Sequence, residues 1–273
     1  MMNAHSYGDG LDMFDKEVGV IPPTPTERGV FVKIPEAYSA MLEVSMKYGY
    51  LVGYAQEQDG KYIQHVYPVK SFETDQISNS SKTQLELHTE TAFHPYRPDY
   101  IVLGCLRGDK AAKTTYAHVD TIVSFLDNKT VDTLTRPEFI TTVDQSFRLH
   151  GEPDQEVLLP ILTTDKDTGR WRMTFDKSTM RGTNPEAQRA LDLFAKAVEP
   201  CVREISLQRG DFLVIDNSKI VHGRTPFPAR YDGTDRWLIR GLIRKELPPF
   251  TEREGSVITT TRFSRQEPEL QSA

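Results

Sequence analysis

Short strand-like segments, separated by turn-forming residues, make up most of this sequence, and only two segments have a spacing that favours helices. Residues 100–107 form a continuous apolar run of the length expected for a buried strand. We predict strands at residues 50–54, 62–67, 85–90, 100–107, 114–119, 139–149, 157–162, 171–175, 204–207, 212–215 and 236–245. Many short strands with helices at the edges indicate a mainly β core with flanking helices.

Two helices are predicted beside this core. Residues 185–201 have one apolar face, with Asn184 as a good N-cap and Pro185 at the first helical position. Residues 35–48 permit a second helix that ends at a glycine. An Asp-Gly pair at residues 59–60 predicts a hairpin turn between the next two strands.

The polar, proline-containing N-terminus and the polar C-terminus are expected to lie outside the core. We predict an extended tail over residues 1–27, a single domain over residues 28–247 and a loose tail over residues 248–273.

Charge and cysteine content exclude several classes of protein. A net charge of −6 argues against a nucleic-acid or anionic-membrane partner, because such partners favour a basic face. The N-terminus has no basic segment followed by an apolar run, so no signal peptide is expected. No apolar stretch approaches the roughly 18 residues that span a bilayer. Cys105 and Cys201 each lie in an apolar run and resemble reduced, buried thiols, which favours a cytoplasmic protein.

Two imidazoles and a carboxylate occur in an order that suits a metal site. His88 and Glu90 are two residues apart, so in a strand they would point to the same face, and His222 would come from elsewhere in the fold. Two histidines and one carboxylate on one side of an ion are typical of non-haem Fe(II) oxygenases, since the other positions stay open. A chance His-x-Glu pair remains the alternative at this point.

Two arginines supply the second chemical signal. Arg236 and Arg240 share one face of a predicted strand, while Trp237 and Ile239 lie on the other. Buried guanidinium groups need anionic partners, and a dicarboxylate such as 2-oxoglutarate would supply one through paired hydrogen bonds. The alternative is that both arginines lie on a solvated face.

Two motif blocks resemble a known family. The first is LHTETAFHPYRPDY over residues 87–100, followed by CLR at 105–107. The second contains IDN at 215–217, VHGRT at 221–225 and RYDGTDRWL at 230–238. Together they resemble the clavaminate synthase-like branch of the TauD/TfdA-type Fe(II)/2-oxoglutarate-dependent oxygenases, and within it the amino-acid hydroxylases of peptide-antibiotic biosynthesis. The likeness runs from about residue 22 to residue 245.

This resemblance implies a double-stranded β-helix, or jelly roll, with iron between its sheets. By motif position the metal ligands would be His88, Glu90 and His222. Arg236 would pair with the distal carboxylate of 2-oxoglutarate and Thr115 would hydrogen-bond it. The chemistry implied is oxidative decarboxylation of 2-oxoglutarate by dioxygen, coupled to hydroxylation of an unactivated C–H bond.

The substrate implied is a small-molecule amino acid, specifically a basic one such as arginine, lysine, ornithine or a derivative. Glu57 and Gln58 resemble the stretch that holds the head group, Asp176 the acid that meets a cationic side chain, and Arg240 the arginine that binds the carboxylate. Halogenating relatives replace the metal-binding carboxylate with a small residue, so the presence of Glu90 favours hydroxylation.

Several alternatives stay open from sequence. The same enzyme could catalyse desaturation or cyclisation, or act on an amino acid tethered to a carrier protein. In a different class, His88, Glu90 and His94 could form the site of a zinc hydrolase or a non-catalytic cupin-like module, although the resemblance places His94 outside the ligand set. Relatives carry a longer N-terminal region, which leaves the oligomeric state open, with a homodimer as one option.

Overall fold

The computed structural model describes residues 4–148, 155–249, 251–252 and 257–259. The α-helices of these residues are α1 (Pro35–Ser45), α2 (Val119–Val123), α3 (Asn128–Leu134), α4 (Gln145–Arg148) and α5 (Pro185–Val198). The strands are β1 (Ala4–Gly8), β2 (Leu11–Asp15), β3 (Tyr50–Tyr54), β4 (Ile63–Val66), β5 (Leu85–His88), β6 (Tyr100–Arg107), β7 (Thr114–His118), β8 (Phe139–Thr142), β9 (Glu156–Leu159), β10 (Leu162–Thr164), β11 (Trp171–Met173), β12 (Arg181–Gly182), β13 (Arg203–Ile205), β14 (Asp211–Asp216), β15 (Ile220–Arg224), β16 (Trp237–Arg244), β17 (Thr251–Glu252) and β18 (Val257–Ile258). Strands thus predominate, and the prediction of a mainly β fold with flanking helices is confirmed.

The larger sheet has the strand order β1-β2-β14-β6-β16-β3-β18-β17, with β4 also paired to β16. Its central strands β14, β6 and β16 are antiparallel neighbours, and β18 runs parallel to β3. The smaller sheet has the order β13-β7-β15-β5 and is antiparallel throughout. Two further small sheets, β12-β8-β9 and β10-β11, complete the strand pairing of the described residues.

The two main sheets face each other, and a helix packs against the outer face of each. Inward side chains of both sheets, including Leu103, Leu238 and Ile220, form one apolar cluster. The outer face of the larger sheet packs on α1, and that of the smaller sheet packs on α5. Apolar side chains alternate between the two faces along each inner strand because successive residues of a strand point in opposite directions.

The segment between β3 and β4 leaves the sheet and returns to it. Both strands pair with the same edge of β16, Val52 opposite Leu242 and Ile63 opposite Gly241, so the chain between them forms an excursion. The prediction of a hairpin turn at residues 59–60 is therefore wrong, because β3 and β4 pair with β16 and not with each other. The excursion turns at residues 58–60, which all have positive φ, and it carries residue 57 towards the space between the sheets.

Other differences from the predicted elements have local causes. The strand predicted over residues 139–149 ends at Thr142, because the amides of Phe147 and Arg148 bond to the Asp144 carbonyl and begin α4. Residue 149 lies outside the described residues. Pro160 separates β9 from β10, where one strand was predicted.

The two predicted tails contribute strands to the larger sheet. β2 lies within the predicted extended tail over residues 1–27 and pairs along its length with β14. β18 lies within the predicted tail over residues 248–273 and pairs with β3. The domain boundaries themselves stay a prediction. Among the described residues, no helix combines the length and the apolar character needed to cross a membrane.

We predict that the buried indole of Trp237 stabilises the position of β16 through a hydrogen bond. Its Nε1 donates to His65 Nδ1 at 2.9 Å, and burial lowers the pKa of His65 to about 4, so this histidine is a neutral acceptor. Trp237→Phe keeps most of the apolar area but leaves the acceptor unsatisfied, which should cost about 1–3 kcal/mol of unfolding free energy in urea titrations. Tyr50→Phe, at an exposed position on β3, is the control and should change it by less than about 0.5 kcal/mol. Equal effects of the two variants would contradict this account.

Candidate active site

Three potential metal ligands meet at the inner face of the smaller sheet. His222 on β15 is the register partner of His88 at the end of β5, and Glu90 follows two residues later. Their ligand atoms all lie within 4.8 Å of one another, and the two imidazole centroids are 4.5 Å apart. His222 Nε2 is 3.6 Å from Glu90 Oε2. The antiparallel pairing of β5 with β15 thus joins residues that are 134 positions apart in the chain, the difference between 222 and 88.

Hydrogen bonds orient the first of these ligands. His88 Nδ1 lies 2.8 Å from the carbonyl of Glu86 and can donate to it only when that nitrogen carries the proton, which leaves Nε2 with a free lone pair. Beyond β5, the amide of Thr89 donates to the Phe175 carbonyl at 2.7 Å, and Thr89 Oγ1 accepts from the Phe175 amide at 3.1 Å. The loop after β5 is therefore held against the segment that contains Phe175.

His94, the rival histidine of the first motif, lies elsewhere. Its Nδ1 accepts from the Tyr96 amide at 2.9 Å, and its ring packs edge-on against Tyr54 with centroids 4.8 Å apart. Burial lowers its pKa to about 3. The group of close ligand atoms contains His222 and not His94.

A second group of potential ligands, Asp9, His118 and Asp120, lies nearer the surface. Asp9 is already paired with Lys219 at 2.8 Å and with Arg170 at 2.7 Å. Two cations beside this carboxylate disfavour a metal ion there.

Arg240 links the two sheets electrostatically. From β16 its Nη1 donates to Glu90 Oε1 at 2.7 Å, its Nη2 donates to Glu57 Oε1 at 2.6 Å, and its Nε donates to Gln64 Oε1 at 2.9 Å. Burial alone would raise the pKa of Glu90, but Arg240, His222 and His88 hold it well below its usual range. Burial likewise opposes the charge of Arg240, yet Glu57 and Glu90 raise its pKa above the usual value. Both groups are therefore ionised.

Arg236 and Arg224 form a cationic end of a cavity that lies between the two main sheets. Both are buried, and Arg224 donates to neutral acceptors, the Ser80 hydroxyl at 3.0 Å and the Thr83 carbonyl at 2.8 Å. Burial lowers the pKa of Arg236 to about 10, and burial together with the charge of Arg236 lowers that of Arg224 to about 9. Within the part of the chain that the structure describes, no carboxylate lies within 4.0 Å of either buried guanidinium, so this end suits an anion.

The threonine beside Arg236 is Thr114, not the predicted Thr115. Arg236 Nη2 lies 3.5 Å from Thr114 Oγ1, and Thr114 lines the cavity. Thr114 is opposite Arg224 on β15, whereas Thr115 is opposite Gly223, so the two threonines point to opposite faces of the sheet. Thr114 rather than Thr115 therefore faces the cavity.

The other end of the cavity is acidic. Asp176 lines it, and its backbone pairs with that of His88 in an isolated antiparallel β-bridge. Its Oδ1 accepts from the Ser178 amide at 2.8 Å and the Thr179 amide at 3.0 Å. Asp144 lines it too, although the sequence analysis did not identify this residue. Burial and the charges of Asp176, Glu90 and Glu57 raise the pKa of Asp144 well above its usual value.

The cavity between the sheets has a volume of about 280 Å³, and its lining includes Glu57, His88, Glu90, Thr114, Asp144, Asp176, His222, Arg224, Arg236 and Arg240. Of the two head-group residues predicted in the excursion, Glu57 lines this cavity. Gln58 instead lines a neighbouring cavity of about 270 Å³, which adjoins the first at Glu57, Ser78 and Ser146. The predicted site residues thus converge, with Gln58 and Thr115 as the exceptions.

Comparison with known proteins identifies the family. Residues 30–242 match the family described as "Taurine catabolism dioxygenase TauD, TfdA family", and the chain belongs to this family of dioxygenases. The resemblance inferred from the two motif blocks is confirmed, as is the jelly-roll fold.

Relatives and solved structures are similar over most of the chain. An enduracididine β-hydroxylase of Streptomyces hygroscopicus is 33% identical over 277 residues, which cover 93% of this chain and 80% of the relative. A structure of asparagine oxygenase with Fe(II), 2S,3S-3-hydroxyasparagine and succinate is 30% identical, with a TM-score of 0.84 over 92% of this chain and 80% of the other. The non-haem iron oxygenase OrfP, in complex with Fe, succinate and (3S)-hydroxy-L-Arg, is 32% identical, with a TM-score of 0.76 over 87% of this chain and 77% of the other.

We predict that Asp144→Asn stabilises the protein at alkaline pH. A carboxyl group whose folded pKa is raised binds protons more tightly when folded, so its ionisation destabilises the fold above the folded pKa and has no effect below the unfolded value of about 3.9. The gain should be on the order of 1 kcal/mol at pH 8 and should vanish near pH 4, as measured by urea unfolding. The exposed Asp167→Asn is the control and should show no such pH dependence. A destabilised Asp144→Asn protein at pH 8 would contradict the assignment.

Proposed function

We propose that this protein is an Fe(II)- and 2-oxoglutarate-dependent dioxygenase that hydroxylates an unactivated C–H bond of a free basic amino acid. The observation that carries the proposal is one cavity lined by three side chains that could hold a metal ion, by buried arginines and by carboxylates. Relatives described as amino-acid hydroxylases and neighbours solved with iron, succinate and hydroxylated amino acids support it.

The donor set fits Fe(II). Burial lowers the pKa of His222, which favours a neutral imidazole, and Glu90 is ionised. Two imidazoles and one carboxylate on one side of an ion leave positions open for a co-substrate and dioxygen. When bound, Fe(II) with 2-oxoglutarate and dioxygen supplies the oxidising chemistry that converts C–H to C–OH, with release of succinate and carbon dioxide.

The arginine end would hold the co-substrate. Arg236 can form two parallel hydrogen bonds with a carboxylate, and Thr114 lies beside it to donate a third. Arg224 adds a second positive charge at this end. An anion here would relieve the repulsion between two buried guanidinium groups, which favours a dianion over a neutral ligand.

The opposite end would hold the amino acid. Arg240 and Glu57 form a buried ion pair whose two charges complement the carboxylate and ammonium groups of a zwitterion. Asp176 and Asp144 lie on the same cavity and provide negative charge for a cationic side chain. These four groups support a basic amino acid as the substrate.

The competing functions receive less support. A zinc hydrolase or a cupin-like binding module built on His88, Glu90 and His94 does not match the grouping of His222 with the first two residues. Halogenation would need a small residue in place of Glu90, whose carboxylate instead faces His222 at 3.6 Å. Desaturation, cyclisation and a carrier-tethered substrate remain alternatives within the same enzyme class.

The test is anaerobic reconstitution of the protein with Fe(II) and 2-oxoglutarate, followed by oxygen and a panel of amino acids. We expect succinate and a product heavier by one oxygen atom with arginine, lysine, ornithine or a derivative, and neither product with His222→Ala. Activity that needs zinc, or turnover that His222→Ala leaves intact, would overturn the proposal. If only a carrier-loaded amino acid were turned over, the proposal that the substrate is a free amino acid would be wrong.

We predict that Arg236→Gln weakens binding of 2-oxoglutarate. Loss of one partner of a buried charge pair costs about 2–5 kcal/mol, so the KM for 2-oxoglutarate should rise at least about thirty-fold in succinate assays. The exposed Arg189→Gln on α5 is the matched control and should leave this KM unchanged. An unchanged KM in Arg236→Gln would contradict the assigned role.

We predict that Asp176→Asn lowers activity towards basic amino acids selectively. Asparagine retains the oxygen that accepts from Ser178 and Thr179, so the turn is kept while the charge is lost. The kcat/KM for a basic amino acid should fall by about ten- to a hundred-fold, which corresponds to roughly 1.4–2.7 kcal/mol, and the KM for 2-oxoglutarate should stay the same. Asp165→Asn removes the charge from a similar turn away from the cavity and is the control. Equal losses in both variants would argue against the assignment.

A further inference from the structure

The side chain of Asn217 connects the two halves of the candidate metal site. Asn217 lies in the turn between β14 and β15 and is 1% exposed. Its Oδ1 accepts from the Glu90 amide at 2.8 Å, and its Nδ2 donates to the Glu90 carbonyl at 3.1 Å. The same Nδ2 donates to the Pro98 carbonyl at 2.9 Å. Both backbone polar groups of Glu90 are therefore bonded to one side chain 127 residues further along the chain.

The loop that carries Glu90 needs such support. β5 ends at His88, so Glu90 is not held by the strand pairing that fixes His88 opposite His222. The next residue, Thr91, has a φ of 49°, a left-handed conformation that is costly for a residue branched at Cβ. Asn217 supplies the donor and the acceptor that a neighbouring strand would otherwise provide.

The backbone of the same turn is also tied to this loop. The amide of Asn217 donates to the Asp99 carbonyl at 3.0 Å, and five residues later β15 presents His222. One short turn therefore bonds to both ends of the loop between His88 and β6 and leads directly into the other metal-binding strand. A shift of the turn would move Glu90 and His222 relative to each other.

We infer that Asn217 is a positioning residue, which holds the Glu90 carboxylate at the distance from His222 that a metal ion requires. The inference rests on the proposed function, because Asn217 acts on the metal only through Glu90, which is one of the three proposed ligands. Groups that orient metal ligands typically change metal affinity by 10- to 100-fold when they are removed. We expect Asn217→Ala to weaken metal binding by a factor in this range, while the affinity for 2-oxoglutarate at saturating metal changes little.

The test measures metal binding directly, by anaerobic titration of the metal-free protein with Co(II) and its absorbance. Asn217→Ala is compared with the wild type and with Ser218→Ala, a control in the same turn whose hydroxyl bonds to Asp216 and not to Glu90. Asn217→Asp, which keeps the acceptor for the Glu90 amide, is a second variant of equal size. It should bind Co(II) more tightly than Asn217→Ala and more weakly than the wild type.

A double-mutant cycle separates positioning from a general loss of structure. In a Glu90→Ala background, Asn217→Ala should cause no further loss of Co(II) affinity, since the carboxylate that it positions is gone. The same ten-fold or greater loss in both backgrounds would overturn the inference, as would wild-type affinity in Asn217→Ala. If Glu90→Ala itself binds Co(II) like the wild type, the proposed ligand set fails instead.

Discussion

The buried pairing of Arg240 with Glu90 and Glu57 is the interaction on which the arrangement of this site depends. Arg240 comes from the larger sheet, while Glu90 belongs to the loop that follows a strand of the smaller sheet. Each charge would be strongly disfavoured alone between the sheets, and removal of one partner of a buried pair costs about 3–5 kcal/mol. The Glu90 carboxylate, the proposed metal ligand, is therefore kept ionised and in place by protein groups.

Around this ion pair the charges of the cavity are separated by sign. Arg236 and Arg224 lie where β16 begins and β15 ends, and the charge of Arg236 acts on Arg224. The carboxyl group of Asp144 is instead under the influence of the charges of Asp176, Glu90 and Glu57. A site of this kind can bind an anionic co-substrate and a cationic substrate side chain at the same time, each beside protein groups of the opposite charge. Burial of these charged groups costs folding stability when no ligand is bound, as the raised pKa of Asp144 and the lowered pKa of Arg236 both indicate.

The fold class could be predicted from the sequence because it depends on local periodicity, and contiguous motifs pointed to the three side chains that the structure groups as potential metal ligands. The alternation along β16 placed Arg236 and Arg240 on one face, and the structure has both on the cavity. Register was harder: Thr114 and Thr115 are adjacent, and only the pairing of β7 with β15 decides which one faces inward. The excursion between β3 and β4 was mistaken for a hairpin, since an Asp-Gly turn does not reveal which strand its flanks pair with. Asp144 acts through contacts distant in sequence, and nothing in its neighbourhood signals it. Asn217 lies in the IDN motif at residues 215–217, but its bonds to Glu90 span 127 residues and follow only from the fold.

The most direct test of the ligand set is an anaerobic crystal structure of the protein with Fe(II) and 2-oxoglutarate, with the metal located by its anomalous scattering. The account predicts one ion within about 2.0–2.2 Å of nitrogen atoms of His88 and His222 and an oxygen of Glu90, the range for such ligands. It also predicts the distal carboxylate of 2-oxoglutarate against Arg236. An ion held by His94 in place of His222, or one at Asp9, His118 and Asp120, would contradict it.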